Sequence, residues 1–120
     1  MKFVHATLMV KNMEESLKFY QEILDLKIHD QIKNQQGPEI LFLGEEETKI
    51  ELIHDKHMQD IDMGQSISLG FQVESLDRQM AFLKEKGIDI HSGPFQPNPN
   101  TRFFYILDPN GLKIQFIEIK

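Results

Sequence analysis

The chain of 120 residues can hold one domain or two small fused modules, and it is too short for three domains. Hydrophobic residues make up 40% of it, which is enough for a buried core. The 13 Lys and Arg residues are outnumbered by 19 Asp and Glu residues, giving a net charge of −6. This acidic balance argues against nucleic acid or an anionic membrane as a partner.

The chain contains no cysteine, which excludes disulfides, thiolate metal ligands and cysteine nucleophiles. No apolar run approaches the roughly 20 residues that a membrane-spanning helix needs. The first ten residues, MKFVHATLMV, lack the basic start and cleavable apolar stretch of a secretory signal. We therefore expect a cytoplasmic protein.

The first half of the chain predicts a strand and a helix. The apolar stretch Phe3–Val10 is typical of a largely buried strand. Asn12, with Glu15 three residues later, has the spacing of a helix N-cap. Together with this cap, the spacing of the apolar residues that follow predicts an amphipathic helix over Met13–Leu24. Its predicted buried residues are Leu17, Tyr20 and Leu24.

Three shorter extended segments follow this helix. They are bounded by a polar turn over residues 34–38 and by a run of three glutamates, which are typical of loops. The predicted strands are Lys27–Lys33, Glu39–Gly44 and Thr48–His54.

The second half predicts the same order of elements after a polar linker. Ser66–Val73 is typical of a strand, Ser75 can cap a helix, and Gly87 would end that helix. Gly93-Pro94 predicts a turn. The remaining predicted strands are Ile88–His91, Arg102–Leu107 and Lys113–Ile119.

The two halves align with each other. An offset of 63 places Val10 on Val73 and Asn12 on Ser75, and an offset of 64 places residues 49–53 on 113–117. An ancient duplication explains this agreement, and chance alternation in two mixed α/β halves is the alternative. We predict a single α+β domain over residues 1–120, with module one at 1–54, a linker at 55–65 and module two at 66–120.

Strand alternation separates polar candidates from the predicted core. His5 and Thr7 share one face of the first strand, and Glu51 lies on the face opposite its aliphatic neighbours. An unpaired carboxylate in the core would cost several kcal/mol, so we expect Glu51 to line a wet cavity. The repeat places Ser68 at the position of His5 and Gln115 at that of Glu51.

Three segments carry a family resemblance. They are His5-x-x-Leu8-x-Val10 leading into residues 12–20, then Lys49-Ile50-Glu51-Leu52, and finally residues 108–114. In these segments the chain resembles the vicinal oxygen chelate superfamily, which includes glyoxalase I, extradiol dioxygenases, methylmalonyl-CoA epimerase and the fosfomycin and bleomycin resistance proteins. The resemblance covers nearly the whole chain. It implies two paired βαβββ modules that form a curved mixed sheet around a cavity.

The resemblance also implies a divalent metal held by one residue from the first and last strand of each module. By this resemblance, the pattern of bacterial glyoxalase I at these positions is His, Glu, His, Glu in chain order. The residues of this chain at the same positions are His5, Glu51, Ser68 and Gln115. Imidazole and carboxylate suit Ni²⁺, Zn²⁺, Mn²⁺, Co²⁺ or Fe²⁺, whereas hydroxyl and amide oxygens are weaker, neutral ligands. We predict His5, Glu51 and Gln115 as the metal ligands and expect weak metal binding.

The remaining candidates concern the substrate. Isomerisation of the glyoxalase type needs a base, and we predict Glu51 for this role because Gln115 cannot accept a proton. Thr7 and Tyr105 resemble cavity contacts of fosfomycin-type relatives, with strand packing as the alternative for Tyr105. Arg102 could clamp a carboxylate, with a solvated arginine as the alternative.

Three classes of function fit these features. The first is a metal-dependent lyase, isomerase or dioxygenase-like enzyme. The second is a metal-free protein that binds or sequesters a small molecule, as bleomycin resistance proteins do. The third is a metal site rebuilt from fewer protein ligands, with water completing the shell. Our prediction is a glyoxalase-like protein with a degenerate metal site that acts on or binds a small molecule in the inter-module cavity. By resemblance we also expect a homodimer.

Overall fold

The computed structural model describes residues 1–33 and 36–120, so the predicted turn at 34–38 lies partly outside the described residues. These residues form two compact units, Met1–Asp62 and Met63–Lys120, divided within the predicted linker. Each unit contains one helix and four strands in the order β-α-β-β-β, which confirms the predicted α+β modules. The elements are β1 (His5–Met9), α1 (Met13–Glu22), β2 (Ile28–Ile32), β3 (Glu39–Leu43), β4 (Lys49–His54), β5 (Ser68–Gln72), α2 (Leu76–Glu85), β6 (Ser92–Asn98), β7 (Thr101–Leu107) and β8 (Lys113–Ile119).

Each unit has its own four-stranded mixed sheet. The strand order is β1-β4-β3-β2 in unit 1 and β5-β8-β7-β6 in unit 2. The first and last strands of each unit pair in parallel, and the other pairs are antiparallel. Thr7 lies opposite Glu51 in unit 1, and Gly70 lies opposite Gln115 in unit 2. These pairs are related by the offsets of 63 and 64, so the strand pairing has the register of the predicted repeat.

One face of each sheet is covered by the unit's helix. Helix α1 packs on β4 and α2 packs on β8. Leu52 and Tyr20 are fully buried in unit 1, as are Ile114 and Phe104 in unit 2. Burial of a side chain of this size contributes about 1.5–3 kcal/mol. The opposite face of each sheet carries Glu51 in unit 1 and Gln115 in unit 2.

Both helices begin at the predicted caps. Asn12 accepts a hydrogen bond from the Glu15 amide at 2.9 Å, and Ser75 accepts one from the Arg78 amide at 3.2 Å. The predicted stop at Gly87 is also confirmed. Its φ of +72° lies in the left-handed region that favours glycine, so the chain leaves the helix there.

Helix α1 differs from its prediction in length and in its buried face. It ends at Glu22 instead of Leu24, and Asp25 then adopts a φ of +55°. Leu17 and Leu24 are half-buried at the flank, because a row including Ser16 faces the sheet instead. Because this row contains the polar Ser16, the spacing of apolar residues alone does not identify it as the buried face. The buried residues are Met13, Ser16, Phe19, Tyr20 and Ile23.

The first strand is shorter than predicted. It begins at His5, and Phe3 and Val4 are 71% and 54% exposed. Backbone bonds still tie this segment to the start of β4, because the Val4 carbonyl accepts the Lys49 amide at 2.9 Å. Backbone pairing with β4 therefore continues to Val4, although the side chains of Phe3 and Val4 are exposed. The hydrophobicity of the sequence does not predict this exposure.

The prediction for the second strand of unit 2 was wrong. Residues 88–91 continue out of the helix end, and β6 runs over Ser92–Asn98 through the Gly93-Pro94 step that predicted a turn. Proline cannot donate to a sheet, but β6 is an edge strand, where a missing donor is tolerated. Two irregularities in the pairing with β7 accommodate the prolines.

Both helices have ten residues. In the part of the chain that the structure describes, no helix is long and apolar enough to cross a membrane.

Candidate functional site

The strongest candidate site lies on unit 1, where β1 and β4 run side by side. His5 opens β1 and Glu51 lies in the middle of β4, with Nε2 of His5 3.5 Å from Oε1 of Glu51. This separation suits an ion pair and exceeds a normal hydrogen bond. The His5 side chain is 37% exposed and that of Glu51 13% exposed. His5 and Glu51 therefore lie on the same face of the sheet of unit 1.

The alternation of β4 explains why Glu51 is accessible at all. Ile50 and Leu52 point to the helix side and are buried, so the carboxylate between them points to the other face. A charged group on the helix side would need a partner or would be strongly disfavoured. The predicted orientation of Glu51 away from the helix-covered core agrees with this burial pattern.

Thr7 and Phe42 complete the surroundings of the carboxylate. Both lie opposite Glu51, Thr7 on β1 and Phe42 on β3. The Thr7 hydroxyl donates a hydrogen bond to Oε1 of Glu51. The Phe42 ring meets the His5 ring edge-on, with centroids 5.5 Å apart. The sequence alone does not predict this contact, because it depends on the pairing of β3 with β4.

The matching positions of unit 2 have different chemistry. Ser68 is exposed at the start of β5. Nε2 of Gln115 donates to the Tyr105 hydroxyl oxygen at 3.3 Å. Gly70 leaves space beside this amide, since a Cβ there would lie 3.0 Å from Oε1 of Gln115. Unit 2 therefore offers neutral hydrogen-bonding groups where unit 1 offers an imidazole and a carboxylate.

Aromatic side chains extend the same face of unit 2. Phe95, Phe103 and Tyr105 contact one another, with ring centroids 5.4–6.5 Å apart. Phe95 is 45% exposed. Offset or edge-on arrangements at these distances are favourable for aromatic rings. The cluster is an uncharged surface with a polar edge at Tyr105 and Gln115.

Arg102 is placed away from this aromatic face. By strand alternation, Phe103 and Tyr105 point to one face of β7 and Arg102 points to the other. The Arg102 guanidinium donates a hydrogen bond to Asp77 of α2 at 3.2 Å. The side chain therefore lies on the helix side of the sheet. Its predicted role as a carboxylate clamp stays a prediction, and we leave Arg102 out of the proposed site.

Glu118 of β8 is a functional group that sequence reasoning missed. It is 5% exposed, and its Oε2 accepts the Leu76 amide at 2.8 Å, at the first residue of α2. A carboxylate at this point satisfies a helix donor and suits the positive end of the helix dipole. Strand alternation could have predicted this burial, because Glu118 points to the same face of β8 as the buried Ile114 and Phe116.

One carboxyl group outside the site has a shifted pKa. The loop before β4 holds the pKa of Glu47 below its usual range, first through a hydrogen bond from its own backbone amide. Desolvation opposes this shift and raises the pKa, whereas the amides of Glu45 and Glu46 and the charge of Lys49 lower the pKa further. This group is almost fully exposed, so the shift concerns the loop and not the candidate site.

Two open depressions lie apart from these groups. One has a volume of about 370 Å³ at the end of α2, and the other has a volume of about 290 Å³ beside the loop before β4. Neither is lined by His5 or Glu51. The candidate site is therefore defined by the side chains of His5 and Glu51 and not by either depression.

The donor set can be tested against the metal that the resemblance implies. Unit 1 supplies one imidazole and one carboxylate, and both suit a divalent transition metal. Gln115 can add only a neutral oxygen, and its amide is engaged with Tyr105. In residues 1–33 and 36–120 no group of three His, Asp or Glu side chains is arranged to hold a metal. These residues fit a weakly held ion with water or substrate in most coordination positions.

Comparisons with known proteins agree with this architecture. Lactoylglutathione lyase of Neisseria meningitidis serogroup A is 28% identical over the whole of this chain and 92% of its own length. The trypanothione-dependent glyoxalase I of Leishmania major has the same fold, with a TM-score of 0.83 at 18% identity over 98% of this chain and 86% of its own. The antibiotic-binding protein TnmS3 of Streptomyces sp. CB03234 also shares it, with a TM-score of 0.74 at 20% identity over 100% of this chain and 98% of its own.

The family itself is matched over residues 2–116, which is nearly the whole chain. The repeated modules and their strand pairing agree with this match. The chain belongs to the Glyoxalase/Bleomycin resistance protein/Dioxygenase superfamily.

Proposed function

We propose that this chain is a glyoxalase-like protein that acts on or binds a small molecule and holds a divalent metal weakly. The observation that carries this proposal is the chemical difference between the matching positions of the two units. His5 and Glu51 lie 3.5 Å apart in unit 1, whereas the matching residues in unit 2 are the neutral Ser68 and Gln115. The similarity to a lactoylglutathione lyase supports the choice of a small carbonyl substrate.

His5 and Glu51 would hold the metal, and the predicted participation of Gln115 stays a prediction. A bound divalent ion supplies Lewis-acid polarisation of a substrate carbonyl oxygen. Glu51 is the group in unit 1 that can take a proton from carbon and return it, because it is a carboxylate with limited exposure. Gln115 can orient a substrate oxygen by hydrogen bonding but cannot move its proton.

Metal titration tests this proposal. We expect calorimetry to show weak binding of Ni²⁺ or Zn²⁺ and the His5→Ala variant to weaken it further. The adduct of methylglyoxal and glutathione is the substrate to assay, with slow formation of lactoylglutathione expected. A stoichiometric, chelator-resistant metal in the purified protein would contradict the degenerate site. Unchanged metal binding, ligand affinity and activity in His5→Ala would show that the site lies elsewhere.

The second candidate function is metal-free binding of an aromatic small molecule. The cluster of Phe95, Phe103 and Tyr105 favours it, because a group of aromatic side chains can bind a flat ligand without any charge. The test is a ligand panel measured in the presence of a chelator. Binding that survives the chelator and falls in Phe103→Ala supports this function over the first.

Three further expectations belong to this proposal. The substrate contact predicted for Thr7, the cytoplasmic location and the homodimer all stay predictions. Analytical ultracentrifugation measures the dimer directly, with an expected mass of twice 14.1 kDa. A sedimenting species of 14.1 kDa at micromolar concentration would contradict it.

A further inference from the structure

The contacts of the Glu51 carboxylate are unevenly distributed between its two oxygens. The Thr7 hydroxyl donates to Oε1, and Nε2 of His5 approaches the same atom at 3.5 Å. Among the described residues, Oε2 has no protein partner. The carboxylate therefore has one oxygen engaged by the protein and one oxygen available to a ligand.

The strands leave Thr7 and Glu51 little freedom to separate. The two residues are direct partners in the parallel pairing of β1 and β4. Threonine is branched at Cβ, which restricts its side chain to few rotamers in a strand. Phe42 lies opposite Glu51 on the other side, so the carboxylate cannot swing freely toward β3. Thr7 is thus a rigid donor beside a carboxylate with limited alternatives.

The repeat within this chain shows the same position without the hydroxyl. Gly70 replaces Thr7 as the partner of Gln115, which replaces Glu51. Oε1 of Gln115 still lies beside Gly70, where a Cβ would be 3.0 Å from it, but Gly70 has no hydroxyl to donate to this oxygen. The hydrogen bond of Gln115 is instead made by its Nε2, which donates to Tyr105 of the neighbouring strand. The hydroxyl donor on the parallel strand is thus present beside the carboxylate of unit 1 and absent beside the amide of unit 2.

We propose that Thr7 is a positioning residue, whose hydroxyl fixes the Glu51 carboxylate beside His5 and presents Oε2 to the ligand. Its consequence for metal affinity rests on the proposed function, whereas the position of the carboxylate does not. A residue that only contacts substrate would leave Glu51 in place when substituted in the ligand-free protein. The two roles of Thr7 can therefore be distinguished.

The test compares Thr7→Val with Thr7→Ser in the full chain. Valine keeps the size and branching of threonine and removes the hydroxyl, and serine keeps the hydroxyl. Thr48→Val is the matched control, because the Thr48 hydroxyl donates to the Phe3 carbonyl at 3.0 Å and does not touch Glu51. Crystal structures of the ligand-free variants give the distance from His5 to Glu51, and Ni²⁺ calorimetry gives the affinity.

We expect the Glu51 carboxylate to leave Nε2 of His5 in Thr7→Val and to stay in Thr7→Ser and Thr48→Val. Loss of an outer contact of this kind typically lowers metal affinity about 10-fold or more, so Thr7→Val should bind Ni²⁺ at least that much more weakly. Thr7→Ser should restore the affinity. An unmoved carboxylate in Thr7→Val would overturn the inference, as would failure of Thr7→Ser to restore its position. If the wild-type chain binds no Ni²⁺, the metal part of the proposed function fails, and the position of the carboxylate alone decides the role of Thr7.

Discussion

A single pair of residues separates the chemistry of the two units. Glu51 and Gln115 have the same place in their strands and the same register across the parallel pair. A carboxylate bears charge, binds a cation strongly and accepts a proton, whereas an amide of the same size is neutral, binds a cation only weakly and accepts no proton at neutral pH. The candidate site is therefore limited to unit 1 by the types of its residues, because the backbone register is the same in both units.

Glu51→Gln tests this point within unit 1. The amide oxygen of glutamine can still accept from Thr7, so we expect the free energy of unfolding to change by less than about 1 kcal/mol. Removal of the charge should weaken Ni²⁺ binding at least about tenfold, a difference of ~1.4 kcal/mol. Calorimetry and urea unfolding measure the two effects. The exposed Glu46→Gln is the control, and equal Ni²⁺ affinity in the two variants would contradict the assignment.

At the scale of elements, strand β8 serves two purposes on its two faces. Gln115 belongs to the face that carries Tyr105, and Glu118 belongs to the face covered by α2. The buried Glu118 carboxylate is also 3.6 Å from Nζ of Lys120. It therefore joins the start of α2 to the last strand of the same unit.

Removal of this junction should destabilise unit 2. Glu118→Ala leaves the buried Leu76 amide without its acceptor, which typically costs about 1–3 kcal/mol. Glu118→Gln retains an acceptor oxygen, and we expect a smaller loss. Urea unfolding followed by circular dichroism measures both variants. The control is Glu85→Ala on the exposed end of α2, and a loss in Glu118→Ala no greater than in this control would refute the capping role.

At the scale of the molecule, the chain contains two βαβββ units of the same topology that differ at their polar faces. The strand register is the same in both units, since His5 lies opposite Lys49 in unit 1 and Ser68 lies opposite Lys113 in unit 2. At the matching positions unit 1 has two good metal donors, His5 and Glu51, whereas unit 2 has the neutral Ser68 and Gln115. Because the strand register is the same in both units, substitution alone can give unit 2 the same donors.

The double variant Ser68→His/Gln115→Glu gives unit 2 the same donor pair as unit 1. We expect it to bind Ni²⁺ at least about tenfold more tightly than the wild-type chain, since a second imidazole and carboxylate are added. Calorimetry measures the affinity, and circular dichroism verifies the fold. Ser66→His/Gln72→Glu adds the same residue types at other positions. An equal gain in that control would show that added charge, and not the repeat geometry, is responsible.

The sequence by itself determined the two modules, the caps at Asn12 and Ser75, the stop at Gly87 and the face on which Glu51 lies. These features depend on periods of 3.6 and 2.0 residues and on neighbours a few positions apart, which can be read directly from the chain. They account for most of the fold and for the identity of the polar candidates.

Only the tertiary structure decided which candidates meet. The Thr7–Glu51 contact joins residues 44 positions apart, and it exists because β1 and β4 pair in one particular register. The same holds for the edge-on contact of His5 with Phe42, for the Asp77 partner of Arg102 and for the course of β6 along the edge of its sheet. Local periodicity sets the direction of a side chain, but pairing between distant strands selects its partner.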